Sequence, residues 1–274
     1  MKISVTTYSF QQLKSSKKAD EKRMVEIARD MGFDGIEVTS LLEYPAPEKY
    51  AEEFKAIAEE NNMPVVAYTV DANLLNPDRE SEINRLKRQI RIAKILGAPV
   101  MRHDAYFAFP ENGKEDFDFY FDAVVSAFRE TSDCAKEFGI KICTENHGLI
   151  CQDSERIERI IKAVNSDNFG WLIDIGNFLC VDENPETAVS RAAKYAFHAH
   201  LKDFFRRPSP ENCIITRHGQ FIQGAPLGEG IVPVKKCVDI LKSSGYNGFY
   251  TLEYEGAEDC LTALKRSLTF ARTL

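Results

Sequence analysis

The sequence predicts a (β/α)8 TIM barrel, and three observations lead there. Four stretches, ARDMGFDGIEV, AKILGAPVMRH, AKEFGIKICTEN and LKSSGYNGFYTLEYE, share one construction: a helical tail, a glycine, then a β-rich segment. Eight such segments lie near 2–6, 35–39, 64–70, 99–103, 140–145, 169–174, 196–201 and 248–253, with amphipathic stretches of helical length between them. Eight β-then-α units in about 250 residues is the size of such a barrel.

The elements follow in order. The first strand is ISVT, and the stretch DEKRMVEIARDM after it has a helical apolar stripe that stops at Gly32. Gly97, Gly139 and Gly245 stop later helices in the same way, at the left-handed position where a side chain is strained. The stretch EINRLKRQIRIAKIL fills the space between the third and fourth strands, and CLTALKRSLTFART closes the chain after the eighth. A doubly wound open sheet shares the alternation, but no G-x-G-x-x-G follows the first strand. No Pro/Gly/Ser-rich linker interrupts the chain, so one domain over 1–274 is expected. The segment from about 204 to 232 reads as one long irregular loop, a length that usually signals function.

Composition narrows the function. A net charge of −7 disfavours a nucleic-acid track, and no apolar run is long enough to cross a bilayer. Seven cysteines form no C-x-x-C pair, which points to reduced thiols rather than a zinc knuckle or a disulfide framework. The start MKISVTTYSF has no signal-peptide core, and a cytoplasmic location is expected.

In a barrel of this type the chemistry sits where the strands end. Side chains alternate across a strand, so parity selects the inward ones. Asp174 shares a face with Leu172, which leaves the lone Trp171 against the helices. Glu145 shares a face with Cys143, His200 lies a layer above His198, and Glu253 ends the eighth strand. Glu145, Asp174, His200 and Glu253 therefore converge from four consecutive strands. Three carboxylates crowd together stably around one divalent cation, and this oxygen-rich set suits Mn²⁺ best, with Mg²⁺, Co²⁺ or Zn²⁺ as further candidates.

The motifs GFDGIEV, TENHG, IDIGN, HAHLKD, PLGEG and GYNGFYTLEYE resemble the sugar phosphate isomerase/epimerase superfamily, the xylose-isomerase-like TIM barrels. In its tagatose/psicose 3-epimerase branch the pattern places a metal on positions that match Glu145, Asp174, His200 and Glu253, and the resemblance makes Glu145 and Glu253 the acid/base pair. It also implies substrate contact by Arg206, six residues after the histidine. Asn177 stands where that branch has histidine, which leaves the substrate open.

The expected activity is a divalent-metal-dependent sugar or sugar-phosphate isomerase or epimerase, working by proton abstraction beside a carbonyl through a metal-stabilised enediolate. His147, Asn177, Lys202, His103 and Glu37 are further candidates for substrate contact at the mouth, and Arg206, Arg207, Arg217 and His218 make the long loop a candidate lid over a substrate oxygen or phosphate. The expected partner is a small carbohydrate, not nucleic acid or membrane; the oligomeric state is left open, a homo-oligomer included. Three rivals share the barrel. A lyase or dehydratase on a keto-sugar or keto-glycoside would use the same metal site. An endonuclease IV-like nuclease needs three metals and more histidines than the five here. A non-catalytic sugar-binding subunit would have no use for crowded carboxylates.

Overall fold

Seven helices hand the chain to a parallel strand through a short connection, and with the first strand these close an eight-stranded sheet on itself. The computed structural model describes residues 1–274. The barrel strands are β1 (Lys2–Thr6), β2 (Gly35–Thr39), β3 (Val65–Val70), β4 (Val100–His103), β5 (Lys141–Glu145), β6 (Phe169–Asp174) and β7 (Ala196–Leu201). Three short strands then intervene, β8 (Asp203–Arg207), β9 (Ile214–Ile215) and β10 (Phe221–Ala225), before β11 (Phe249–Leu252) completes the barrel. The order around it is β1-β11-β7-β6-β5-β4-β3-β2, with β1 paired to both β2 and β11. The helices are α1 (Gln11–Ser15), α2 (Glu21–Met31), α3 (Pro47–Glu60), α4 (Arg79–Leu96), α5 (Phe117–Glu137), α6 (Ser154–Val164), α7 (Pro185–Ala192), α8 (Val234–Ser243) and α9 (Cys260–Ala271).

All eight expected strands are present. Gly32 and Gly97 cap α2 and α4 at φ +91° and +76°, the left-handed geometry that their position required. Burial divides into two layers. Trp171, Phe128, Phe54 and Met24 belong to the large cluster between strands and helices, whereas Ala67, Val100, Cys143 and Leu172 form a small cluster of their own inside the barrel. These interior residues floor the barrel and push polar side chains one layer up, to the mouth. All seven cysteines are free thiols. No helix is long and apolar enough to cross a membrane.

The segment after β7 departs from the expected irregular loop. β8, β10 and β9 form a three-stranded antiparallel sheet, with Arg207 opposite Phe221 and Asp203 opposite Ala225. Its anchor is Asp203. The buried carboxylate accepts N–H groups from Phe204 (2.8 Å), Gly228 (3.0 Å), Gly230 (2.9 Å) and Val232 (3.0 Å). A Cβ on Gly230 would lie 2.2 Å from Asp203 Oδ1, so the turn that wraps the carboxylate admits only glycine there.

Candidate metal centre

The end of β6 is locked before any site chemistry begins. Asn146 accepts the indole N–H of Trp171 at 3.2 Å and the N–H of Asp174 at 3.1 Å, and donates to the Asp174 carbonyl at 2.8 Å. The Asp174 side chain is committed on one oxygen only: Oδ1 accepts the N–H groups of Gly176 (2.8 Å) and Asn177 (2.9 Å). That turn is tight, since a Cβ on Gly176 would stand 2.8 Å from the Lys202 carbonyl oxygen. Oδ2 is left facing the barrel axis.

His200 arrives from β7, level with Asp174 on one side and Thr251 on the other. Its Nε2–H donates to Glu37, 2.9 Å from Oε2, which turns the Nδ1 lone pair inward. Nδ1 lies 3.4 Å from Glu253 Oε2, 3.7 Å from Glu145 Oε1 and 3.9 Å from Asp174 Oδ2. Below this level the polar chain continues: His198 Nε2 is 2.9 Å from Glu37 Oε2 and 2.8 Å from Thr251 Oγ1, which pairs with Ser4 at 2.7 Å.

These four residues fit a divalent cation. His200 Nδ1 and Asp174 Oδ2 are buried and have no hydrogen-bond partner, an uncommon and costly state for native polar atoms. A cation accepts both lone pairs at once. Electrostatics point the same way. Burial, reinforced by Glu145 and Glu253, pushes the Asp174 carboxyl up to about 7 against the pull of Lys202. Burial opposes a charge on His200, yet Glu37 and Glu253 outweigh it and hold its pKa well above the ordinary value. The pocket has a surplus of negative charge that its own cations do not cancel. The set of three carboxylates and one imidazole suits Mn²⁺, Mg²⁺ or Zn²⁺ by donor chemistry.

Each glutamate has its own cationic partner. Arg102 Nη2 is 2.7 Å from Glu145 Oε2, and Asn177 donates to Glu145 Oε1 at 3.0 Å. Lys202 Nζ is 2.7 Å from Glu253 Oε2, 3.2 Å from Glu255 and 3.4 Å from Asp174 Oδ2, and it donates to Asn177 Oδ1 at 3.2 Å. For Lys202, burial works against the charge, but Glu253, Glu255 and Asp174 raise its pKa well above that of a free lysine. Asn177 thus bridges the two glutamate arms.

The structure brings Glu145, Asp174, His200 and Glu253 together as parity predicts. His147 also reaches the mouth, with Nδ1 3.1 Å from Asp104 Oδ1 and its ring edge-on to Phe107. Five other expected residues fall elsewhere. His103 points outward, not into the mouth: Nε2 pairs with Thr131 Oγ1 at 2.9 Å and the ring stacks on Phe128 of α5. Glu37 does not line the mouth; it lies beneath His200, wholly buried. Arg206 is exposed on β8, 3.4 Å from Gln220 Oε1, in a surface groove with Asp182 and Glu186 rather than at the mouth. Arg217 is paired to Asp153 at 3.1 Å, and His218 Nδ1 is 3.3 Å from Asp182 Oδ2, so neither hangs over the site.

One residue of the site escaped the sequence reading, Arg102. Arg102 lies level with Cys143 of the barrel interior, so parity along VMRH assigns the inward face to arginine and the outward face to histidine. The mouth above the cluster is a cavity of about 270 Å³ that includes Tyr8, Thr39, Phe107 and Glu255 in its wall.

Comparison with known proteins matches these features to one family. The model of the xylose isomerase-like TIM barrel family matches residues 25–274. An inosose dehydratase of Lacticaseibacillus casei is 25% identical over 145 residues, covering 50% of this chain and 48% of that protein. The chain thus spans about half the length of the curated relatives it matches first. The L-ribulose-5-phosphate 3-epimerase UlaE of Salmonella heidelberg is 21% identical, over 84% of this chain and 81% of its own. Among solved structures, the IOLI protein with a bound zinc atom shares the fold at a TM-score of 0.77 and 19% identity, covering 98% of this chain and 97% of that one. With the family model spanning most of its length, the chain belongs to the xylose isomerase-like TIM barrel family.

Proposed function

We propose that the protein is a divalent-metal-dependent sugar epimerase or isomerase that moves a proton at the carbon beside a carbonyl. One observation carries this reading. Glu145 and Glu253 stand on β5 and just past β11, on either side of the His200–Asp174 pair, and both line the same small cavity. Glu145, Asp174, His200 and Glu253 would hold the cation, which would supply Lewis-acid stabilisation of negative charge on a carbonyl oxygen. Mn²⁺ is the ion we assign.

The chain's own residues do the rest. One glutamate removes the proton and the other delivers one to the opposite face, which inverts the centre; delivery to the adjacent carbon converts ketose to aldose. Arg102 and Lys202 fix the two carboxylates in place, and Asn177 ties the two arms together. His147, held by Asp104, borders the cavity where a substrate hydroxyl lies.

The test is incubation of Mn²⁺-loaded protein with a panel of ketoses in D₂O. Deuterium at the carbon next to the carbonyl is the expected result, with losses of about 10²–10⁴-fold in Glu145→Gln and Glu253→Gln. Exchange no faster than in chelator-treated protein, across the panel, would refute the reading. A second reading, elimination of water from a keto-sugar, is favoured by the likeness to inosose dehydratase. Release of an unsaturated product instead of an epimer distinguishes it.

A further inference from the structure

We propose that the substrate taken by this mouth is an uncharged sugar rather than a sugar phosphate, because the protein's own carboxylates already occupy the amide nest after β7 and the fixed cations of the mouth, and the arginines after β7 do not line it. The inference rests on the proposed function for its site and goes beyond it in substrate class.

The first such place is the loop after the seventh barrel strand. In (β/α)8 barrels a phosphate is frequently held by backbone N–H groups of the loops that follow strands seven and eight. Here that loop holds the glycine-rich stretch GAPLGEG, and its amides do converge on an anion. The anion is Asp203. Four N–H groups, those of Phe204, Gly228, Gly230 and Val232, are spent on its two oxygens. Asp203 is 1% exposed, so no external anion exchanges with it without unfolding the loop.

The second place is the pair of fixed cations in the mouth. Arg102 gives Nη1 to Asp104 Oδ2 at 2.9 Å and to the Val70 carbonyl at 3.0 Å, and Nη2 to Glu145. Lys202 is shared among Glu253, Glu255 and Asp174. Asp104 and Glu255, which lie outside the metal cluster, keep Arg102 and Lys202 engaged even with a cation bound, so a phosphate reaching for either competes with a carboxylate already in place. The third place is the set of arginines on the segment after β7. Arg206 faces another groove, Arg207 pairs with Gln223 at 2.9 Å, and Arg217 pairs with Asp153. None of them lines the mouth.

What does line the mouth suits a polyol. Tyr8, Thr39, Ser40 and Thr69 contribute hydroxyls, and Phe107 offers a ring to the C–H face of a sugar. Asp71, 3.4 Å from Arg85, and Glu255, 3.2 Å from Lys202, add two more carboxylates to the wall of the mouth.

The experiment compares sugars that differ only in the phosphate: D-fructose with D-fructose 6-phosphate, and D-ribulose with D-ribulose 5-phosphate. Binding to Mn²⁺-loaded protein is read by saturation-transfer NMR and by thermal shift, independently of turnover; deuterium exchange in D₂O is read in parallel. The expected result is that the neutral member of each pair binds at least about tenfold more tightly, roughly 1.4 kcal/mol. Glu255→Gln with Asp71→Asn should narrow that ratio. Tighter binding of the phosphate esters, or no binding of any neutral sugar, overturns the inference. Deuterium exchange that fails with every sugar counts against the proposed function, while the binding arm still decides between neutral and phosphorylated ligands.

Discussion

Glu37 Oε2 lies 2.9 Å from the Nε2 of His200, on the ring edge opposite the cluster of Asp174, Glu145 and Glu253. That one contact sets the tautomer of the imidazole and aims its Nδ1 at the site. The same carboxylate oxygen also serves His198. Although burial disfavours its charge, the two histidines hold the Glu37 carboxyl far below the usual carboxylate range.

Glu37→Gln should therefore weaken the metal site without removing a ligand. Partners of this kind cost about 10–100-fold in metal affinity when changed. Mn²⁺ titration of the variant beside wild type checks it; unchanged affinity would show that His200 needs no such orientation.

Arg102→Met should destabilise the fold by about 3–5 kcal/mol, since it takes the guanidinium away from two buried carboxylates, Asp104 and Glu145. Denaturant unfolding measures the loss. The double variant Arg102→Met with Asp104→Leu should recover part of it.

Asp203→Asn replaces one carboxylate oxygen with an NH₂ group that cannot accept from the two N–H donors on that side. The expected cost is about 1–3 kcal/mol for each stranded donor. Faster amide exchange confined to β8, β10 and the 226–232 turn would mark the origin of the loss.

Stability should fall between neutral and mildly acid pH partly through His103. Burial lowers its pKa from 6.5 to about 4. The unfolded chain takes up this proton first, so the stability is present above about 6.5 and is lost as pH falls toward 4. His103 contributes about 2 kcal/mol of loss between pH 7 and pH 5. His103→Gln, which keeps a polar group opposite Thr131, should flatten that slope in urea titrations at the two pH values.

The barrel was legible because its signals are local. A glycine in left-handed geometry after each of several helices, followed within a few residues by a β-rich segment, needs no long-range information. The four clustered residues were legible for a related reason: a charged side chain at the end of an otherwise apolar strand has few places to go. His103 misled because ligand-type chemistry was weighed above alternation, and the register of β4 against β5 favours Arg102. Arg206 misled because its spacing from His200 carries no information on β8, which turns it onto the outer sheet. The Asp203 clasp was hidden for a different reason. Its donors at Gly228, Gly230 and Val232 are remote in sequence, and neither HAHLKD nor PLGEG alone tells of the other.

The most direct test is a Mn²⁺ titration of the chelator-treated protein followed by electron paramagnetic resonance. One ion bound per chain, with that binding abolished in His200→Ala and in Asp174→Asn while both variants remain folded, is the expected result. No stoichiometric binding, or binding that both variants retain, would contradict the account.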